Sequence, residues 1–360
     1  MPRRLLLVLA VFAVALAPAL HPAGQPSTVG SGPALGTTGR PAYPDSLFAP
    51  LDRPGPVFSV PAPALAASLR CAVPHAGGPP RAPVLLLSST GLDTSASFDW
   101  NYQPALSAVG ITWCTSNAPG ANNGDIQLRA EYVAYAVREM RARAGRLVDV
   151  IGHGQGALAA RVALRFWPDL RDDVSDLIAL APPNQGSAAF QTVCSQACPA
   201  AYWQQRPDSM LVSAVNSRQP TFAGVDYTVI TSTIDDVITP QPVASTLRTG
   251  SGRIRTIAVQ DVCPGYVADH LGIGGYDAVA WAIAADALNN LGPADPARLS
   301  RAVCGAGFMP AIDTERFLGN SARAAPVLET IPPAGVPTVS AEPAPRCWVL
   351  AAGCLSDGAP

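Results

Sequence analysis

The chain has 360 residues and a formal net charge of −2, which allows one large domain or two small ones and excludes the basic surplus of a nucleic-acid binder. It has no lysine, every basic side chain being arginine, and this excludes Ser-Lys catalysis and Schiff-base chemistry. The cysteines are even in number with no Cys-x-x-Cys pair; His75 near Cys71 is alone a poor ligand set, so disulfides are expected and neither a metal nor a cofactor is implied.

Met1-Pro2-Arg3-Arg4 precedes an apolar run from Leu5 to about Leu20 that Pro18 interrupts. A basic start, an apolar core too short to span a bilayer and small residues at its end predict a secretory signal over 1–24. No later segment is long and apolar enough to span. Residues 25–64 are rich in Pro, Gly, Ser and Thr and predict an extended arm, and residues 325–360 a Pro-rich tail. Residues 65–324 are the expected folded domain.

Within it, Val84-Leu85-Leu86-Leu87 is a continuous apolar run, as a strand covered on both faces requires. Further strands are expected at Ile111–Cys114, Leu147–Ile151, Leu177–Leu180, Tyr227–Ile230 and Ile254–Val259. Ile126–Ala144 has helical spacing, with Leu128, Tyr132, Ala136 and Met140 on one face. Gly156–Phe166 reads as a second helix, stopped near Pro168. Strands alternating with helices predict an α/β fold with a mostly parallel sheet.

The third of these strands runs into Gly152-His153-Gly154-Gln155-Gly156. A Gly-x-Ser-x-Gly turn between a strand and a helix is the nucleophile elbow of α/β-hydrolases, and here glycine, Gly154, holds the serine position. The fifth strand is followed by Asp235, placed where catalytic groups collect in open α/β sheets. The sixth leads to Asp269-His270. His21 lies in the signal or arm, His75 before the core and His153 inside the elbow, which leaves His270 as the general base. Nucleophile position, acid and histidine follow one another in α/β-hydrolase order. Ser88-Ser89-Thr90-Gly91, after the first core strand, stands where that fold places half of its oxyanion hole.

On these residues the chain resembles the Candida antarctica lipase B type of secreted lipase and its bacterial relatives, over roughly residues 69–317. Thr90-Gly91 through Ser97-Phe98-Asp99 is similar to that family's oxyanion loop, Gln155-Gly156 with Arg161–Pro168 to its elbow helix, Ala181-Pro182 to the following turn, Asp235 with Pro240-Gln241 to its acid loop, and Asp269-His270 to its histidine loop. The resemblance implies the α/β-hydrolase fold, an acyl-ester or lipid ligand, no cofactor, Thr90 and Gln155 as oxyanion donors, and disulfides Cys71–Cys114 and Cys263–Cys304. Cys194–Cys198 and Cys347–Cys354 are then the expected remaining pairs. Three departures stand out: His153 replaces the fungal tryptophan, Pro183 replaces an acidic residue of the acyl pocket, and Phe190–Trp203 is expected to form a different lid.

Glycine cannot form an acyl-enzyme. Three functions remain in view: a lipase-family scaffold that is inactive or strongly impaired while keeping its ester cleft; a hydrolase working through a His270-activated water beside Gly154; and a non-catalytic cell-envelope interaction protein. Ser88 and Ser89 are the less favoured substitute nucleophiles, because both lie on the oxyanion side.

Overall fold

The computed structural model describes residues 43–74, 81–194, 196–247, 250–328 and 335–354. The expected signal at 1–24, His21, His75 and Pro332-Pro333 lie outside them. Among the described residues seven strands form one sheet: β1 (Leu69–Ala72), β2 (Val84–Leu87), β3 (Trp113–Ser116), β4 (Val148–His153), β5 (Val174–Leu180), β6 (Asp226–Thr231) and β7 (Arg253–Ala258). Their order is β1-β3-β2-β4-β5-β6-β7. β1 runs antiparallel to β3, and every other neighbouring pair is parallel. This is the α/β-hydrolase architecture.

The apolar runs explain themselves in this sheet. Leu85 and Leu87 of β2 and Val148 and Val150 of β4 enter one core, with Val133, Val137, Leu158 and Val162 from the helices on that face. Val84, Leu86 and Ile151 enter the other, with Tyr102, Leu106, Trp281 and Ile283. Strands buried on both faces read as continuous rather than alternating hydrophobic segments. The edges differ. β1 is half exposed and carries no apolar run, so it has no counterpart among the strands expected from sequence.

The helix Ile126–Ala144 forms where its spacing predicts. The Asp125 side chain accepts the Gln127 N–H at 2.9 Å, and Gly145 closes the far end in the left-handed region, a position at which glycine carries no Cβ penalty. Leu128, expected on the buried face, is only half buried, whereas Arg129 is buried. The second helix, Gln155–Phe166, is buried along all of its 12 residues and lies between the sheet and the flanking segments.

Disulfides join Cys71 to Cys114, Cys194 to Cys198, Cys263 to Cys304 and Cys347 to Cys354. The first links the opposed residues of β1 and β3. The described part of the arm packs on the domain: Phe48 and Ala49 are buried in the core with Trp348 and Val349 of the tail, and Phe48 bridges to Leu350. Where the prolines of the tail predict no regular structure, the helix Phe317–Leu328 continues through Pro326.

Candidate active site

β4 ends at His153, and the chain turns at Gly154 with φ +50° and ψ −117° before the helix starts at Gln155. Each glycine of the turn has its own reason. A Cβ on Gly152 would stand 2.7 Å from Cα of Ala157, and one on Gly156 would stand 2.7 Å from the Leu87 carbonyl carbon. Both are closer than any side chain tolerates, so the outer glycines let the helix lie against β4 and β2. Gly154 instead serves the backbone, because L residues seldom hold that φ. Its N–H donates to the Leu180 carbonyl at 2.8 Å, which ties the turn to β5.

The acid and the base are brought together. Nδ1 of His270 lies 3.0 Å from Oδ2 of Asp235, and both side chains are buried. The second oxygen of Asp235 accepts the N–H groups of Val237 at 2.9 Å and Ile238 at 2.7 Å. One carboxylate oxygen thus shapes its own loop and leaves the other for the imidazole. His270 opens a short helix, His270–Gly275, whose cap is Asp269, accepting from the Gly272 N–H at 2.6 Å. Asp236 accepts the His270 N–H at 3.3 Å. Nε2 of His270 is buried without a hydrogen-bond partner among the described residues. It lies 3.3 Å from the point a Cβ on Gly154 would occupy.

His153 packs its ring 4.5 Å from that of His270, and its Nε2 meets the His270 carbonyl at 3.2 Å. Burial, reinforced by His270, holds its pKa well below the usual histidine value, so it is neutral and acts by packing. The same ring fills the space over Gly274, where a Cβ would collide with it.

Around the turn, Thr90 and Gln155 are buried and joined, the Gln155 amide donating to Oγ1 of Thr90 at 3.3 Å and to the Asn122 carbonyl at 2.8 Å. Gln205 donates to the same Oγ1 at 2.8 Å. The Arg129 guanidinium donates to Oε1 of Gln155 and, at 2.5 Å, to the Ser88 carbonyl. Burial alone pulls its pKa down to about 9. A positive charge therefore backs both the Ser88–Gly91 loop and Gln155.

Four of these residues carried no sequence signal. Arg129 looks like a solvent-facing helix position, Asn122 and Gln205 sit in irregular segments, and Asp236 is overshadowed by Asp235. Ser89 is the larger difference. The sequence puts it on the oxyanion side with open space beside Gly154. In the fold its Cβ lies 3.3 Å from the Gly154 Cβ point, and its Oγ is nearer still, inside contact distance. The Ser89 hydroxyl reaches into the space beside Gly154.

The segment expected as a lid forms two short helices, Ala188–Val193 and Ala200–Gln204. Phe190, Cys194, Cys198 and Tyr202 make a small core with Val237 and Ile238 of the acid loop. Among the described residues no group of three His, Cys, Asp or Glu could hold a metal ion, and no helix is long and apolar enough to cross a membrane.

No family model matches the chain. Lipase B of Pseudozyma antarctica is 31% identical over 226 residues, 60% of this chain and 64% of that protein, so the match spans less than two thirds of the relative. The crystal structure of Aspergillus fumigatus lipase B superposes with a TM-score of 0.74 at 28% identity, covering 82% of this chain and 74% of that one.

Proposed function

From the premise that this chain is a lipase B-like α/β-hydrolase, we propose that it is an exported ester-binding member of the lipase group whose site keeps acid, base and oxyanion donors and lacks the elbow nucleophile. One observation carries this reading: Nε2 of His270 is buried, without a partner among the described residues, and 3.3 Å from the Cβ position of residue 154. An unpaired buried nitrogen costs stability. It stands beside the point from which a serine side chain at residue 154 would extend.

In a serine triad the histidine takes the hydroxyl proton as oxygen attacks the acyl carbon, and the acid holds the histidine tautomer. Asp235 and His270 fill those two roles. Thr90 and the Gln155 N–H, at the start of the helix Gln155–Phe166, are the donors for the developing oxyanion. With glycine at the nucleophile position the acyl-enzyme at residue 154 is lost. Losing that group costs on the order of 10⁶ in turnover and leaves about 10³–10⁴ over water from the remaining site. The ligand class is an acyl ester or lipid, as the relatives' name suggests. Export is supported by Met1–Leu20 and by four disulfides, which persist in oxidising compartments.

The test is restoration. Because a Cβ at residue 154 would meet Ser89, the variant is Gly154→Ser combined with Ser89→Gly. Hydrolysis of a short p-nitrophenyl ester by this protein is expected to exceed that of the parent by at least ~10³-fold. No gain in a folded double variant overturns the reading.

A further inference from the structure

The hydroxyl of Ser89 stands in the space that the missing side chain of residue 154 would fill. Its Oγ is inside contact distance of the Gly154 Cβ point, and its Cβ is 3.3 Å from that point, the same separation as Nε2 of His270. The base and this hydroxyl therefore border the same point beside Gly154 without a direct hydrogen bond between them, and closing that gap falls to the bound ester. We propose that Ser89 is the nucleophile of the parent protein, an oxyanion-loop serine working with His270 in place of an elbow serine.

The proposal rests on the hydrolase reading above and adds a residue to it. The surroundings match the task. Thr90 follows Ser89 in the chain, as Gln155 follows residue 154, so the donor next to the nucleophile is kept. Arg129 donates to the Ser88 carbonyl immediately before it at 2.5 Å, which fixes the loop and sets a buried positive charge behind the developing oxyanion. Glycine at residue 154 is then the condition that makes room for the Ser89 side chain.

The chemistry balances without a further reagent than water. Oγ of Ser89 bonds to the ester carbonyl carbon while its proton passes to Nε2 of His270. The bond to the alcohol oxygen then breaks, and the alcohol leaves with that proton. Water attacks the Ser89 ester and gives a proton to Nε2. The carboxylic acid departs as Oγ recovers its hydrogen.

The experiment is covalent trapping of the full parent chain with a fluorophosphonate, followed by mass mapping of the labelled peptide, beside p-nitrophenyl ester hydrolysis by Ser89→Ala and Ser89→Cys. The label is expected on Ser89. Ser89→Ala is expected to abolish labelling and to lower hydrolysis at least ~10-fold. Ser89→Cys keeps a nucleophile and is expected to take up acyl group on the thiol. A label elsewhere, no label, or unchanged hydrolysis in Ser89→Ala overturns the proposal. The restoration test uses a chain without a serine at 89, so the two ideas fail separately. An active double variant with an unlabelled parent leaves the hydrolase site and removes Ser89 from it. A labelled parent with an inert double variant keeps Ser89 and removes the elbow.

Discussion

Oδ2 of Asp235 lies 3.0 Å from Nδ1 of His270, and Oδ1 of the same aspartate holds the N–H groups of Val237 and Ile238. Replacing the carboxylate by an amide keeps part of the loop bonding and reverses the tautomer offered to the imidazole. In the restored background, Ser89→Gly with Gly154→Ser, the further change Asp235→Asn is expected to lower the ester hydrolysis rate by ~10⁴-fold with little loss of fold. Initial rates with a short p-nitrophenyl ester, with circular dichroism as a fold control, check this.

The glycines of the elbow answer differently to alanine. At residue 156 a Cβ would press into the Leu87 carbonyl, and neither helix nor strand can yield cheaply. Gly156→Ala is expected to destabilise by about 1–3 kcal/mol through overpacking. Gly154→Ala in the Ser89→Gly background meets the φ +50° strain, of order 1–3 kcal/mol where nothing compensates it, and a tight 3.3 Å approach to Nε2 of His270, and should not abolish folding. Denaturant melts of the two variants separate packing from backbone strain.

A row of carboxylates crosses the sheet far from the active site. Asp149 faces Asp176, Asp176 faces Asp226, and Asp226 pairs with Arg253 through two bonds of 2.6 Å. Burial first, and then the charges of Asp149 and Asp226, push Asp176 up to about 8. Its carboxyl is raised relative to the unfolded chain, so the neutral form favours the fold. That contribution is complete below the ordinary value of 3.8 and is lost as pH rises through about 8. Asp176→Asn stays neutral throughout. Its melting temperature should therefore gain on the parent's between pH 6 and pH 9. A gap that stays constant or shrinks contradicts the assignment.

The Cys71–Cys114 bridge pins the half-exposed β1 to β3 over a sequence separation of 43. A bridge closing a loop of that length contributes typically ~2–4 kcal/mol. Cys71→Ala with Cys114→Ala should lower stability by that amount while leaving the Asp235–His270 pair in place. Calorimetry of the variant, with histidine NMR as the reporter of the site, reads both.

Much of the architecture was legible because both-faced burial writes itself as apolar runs. Val84–Leu87, Val148–Ile151 and Leu177–Leu180 needed no more than composition and spacing. β1 was not legible, since Leu69-Arg70-Cys71-Ala72 sits on an edge and shows neither a run nor a clean alternation. In the site, the sequence brought forward Gly154, Asp235 and His270 through chain order. It could not bring forward Arg129, whose burial depends on the tertiary position of the helix Ile126–Ala144. Nor could it bring forward the facing of Ser89 toward Gly154, which is set by how the loop after β2 folds over the elbow, a non-local relationship that no local pattern encodes.

The elbow lacks one hydroxyl, and Ser89 stands in the space its side chain needs. Single-turnover phosphonylation of the Ser89→Gly, Gly154→Ser variant tests it most directly, because it needs neither the right acyl chain nor deacylation. Mass mapping is expected to place the label on the peptide carrying residue 154, and adding His270→Ala should remove it. A folded variant that takes no label, or takes it independently of His270, would contradict the account.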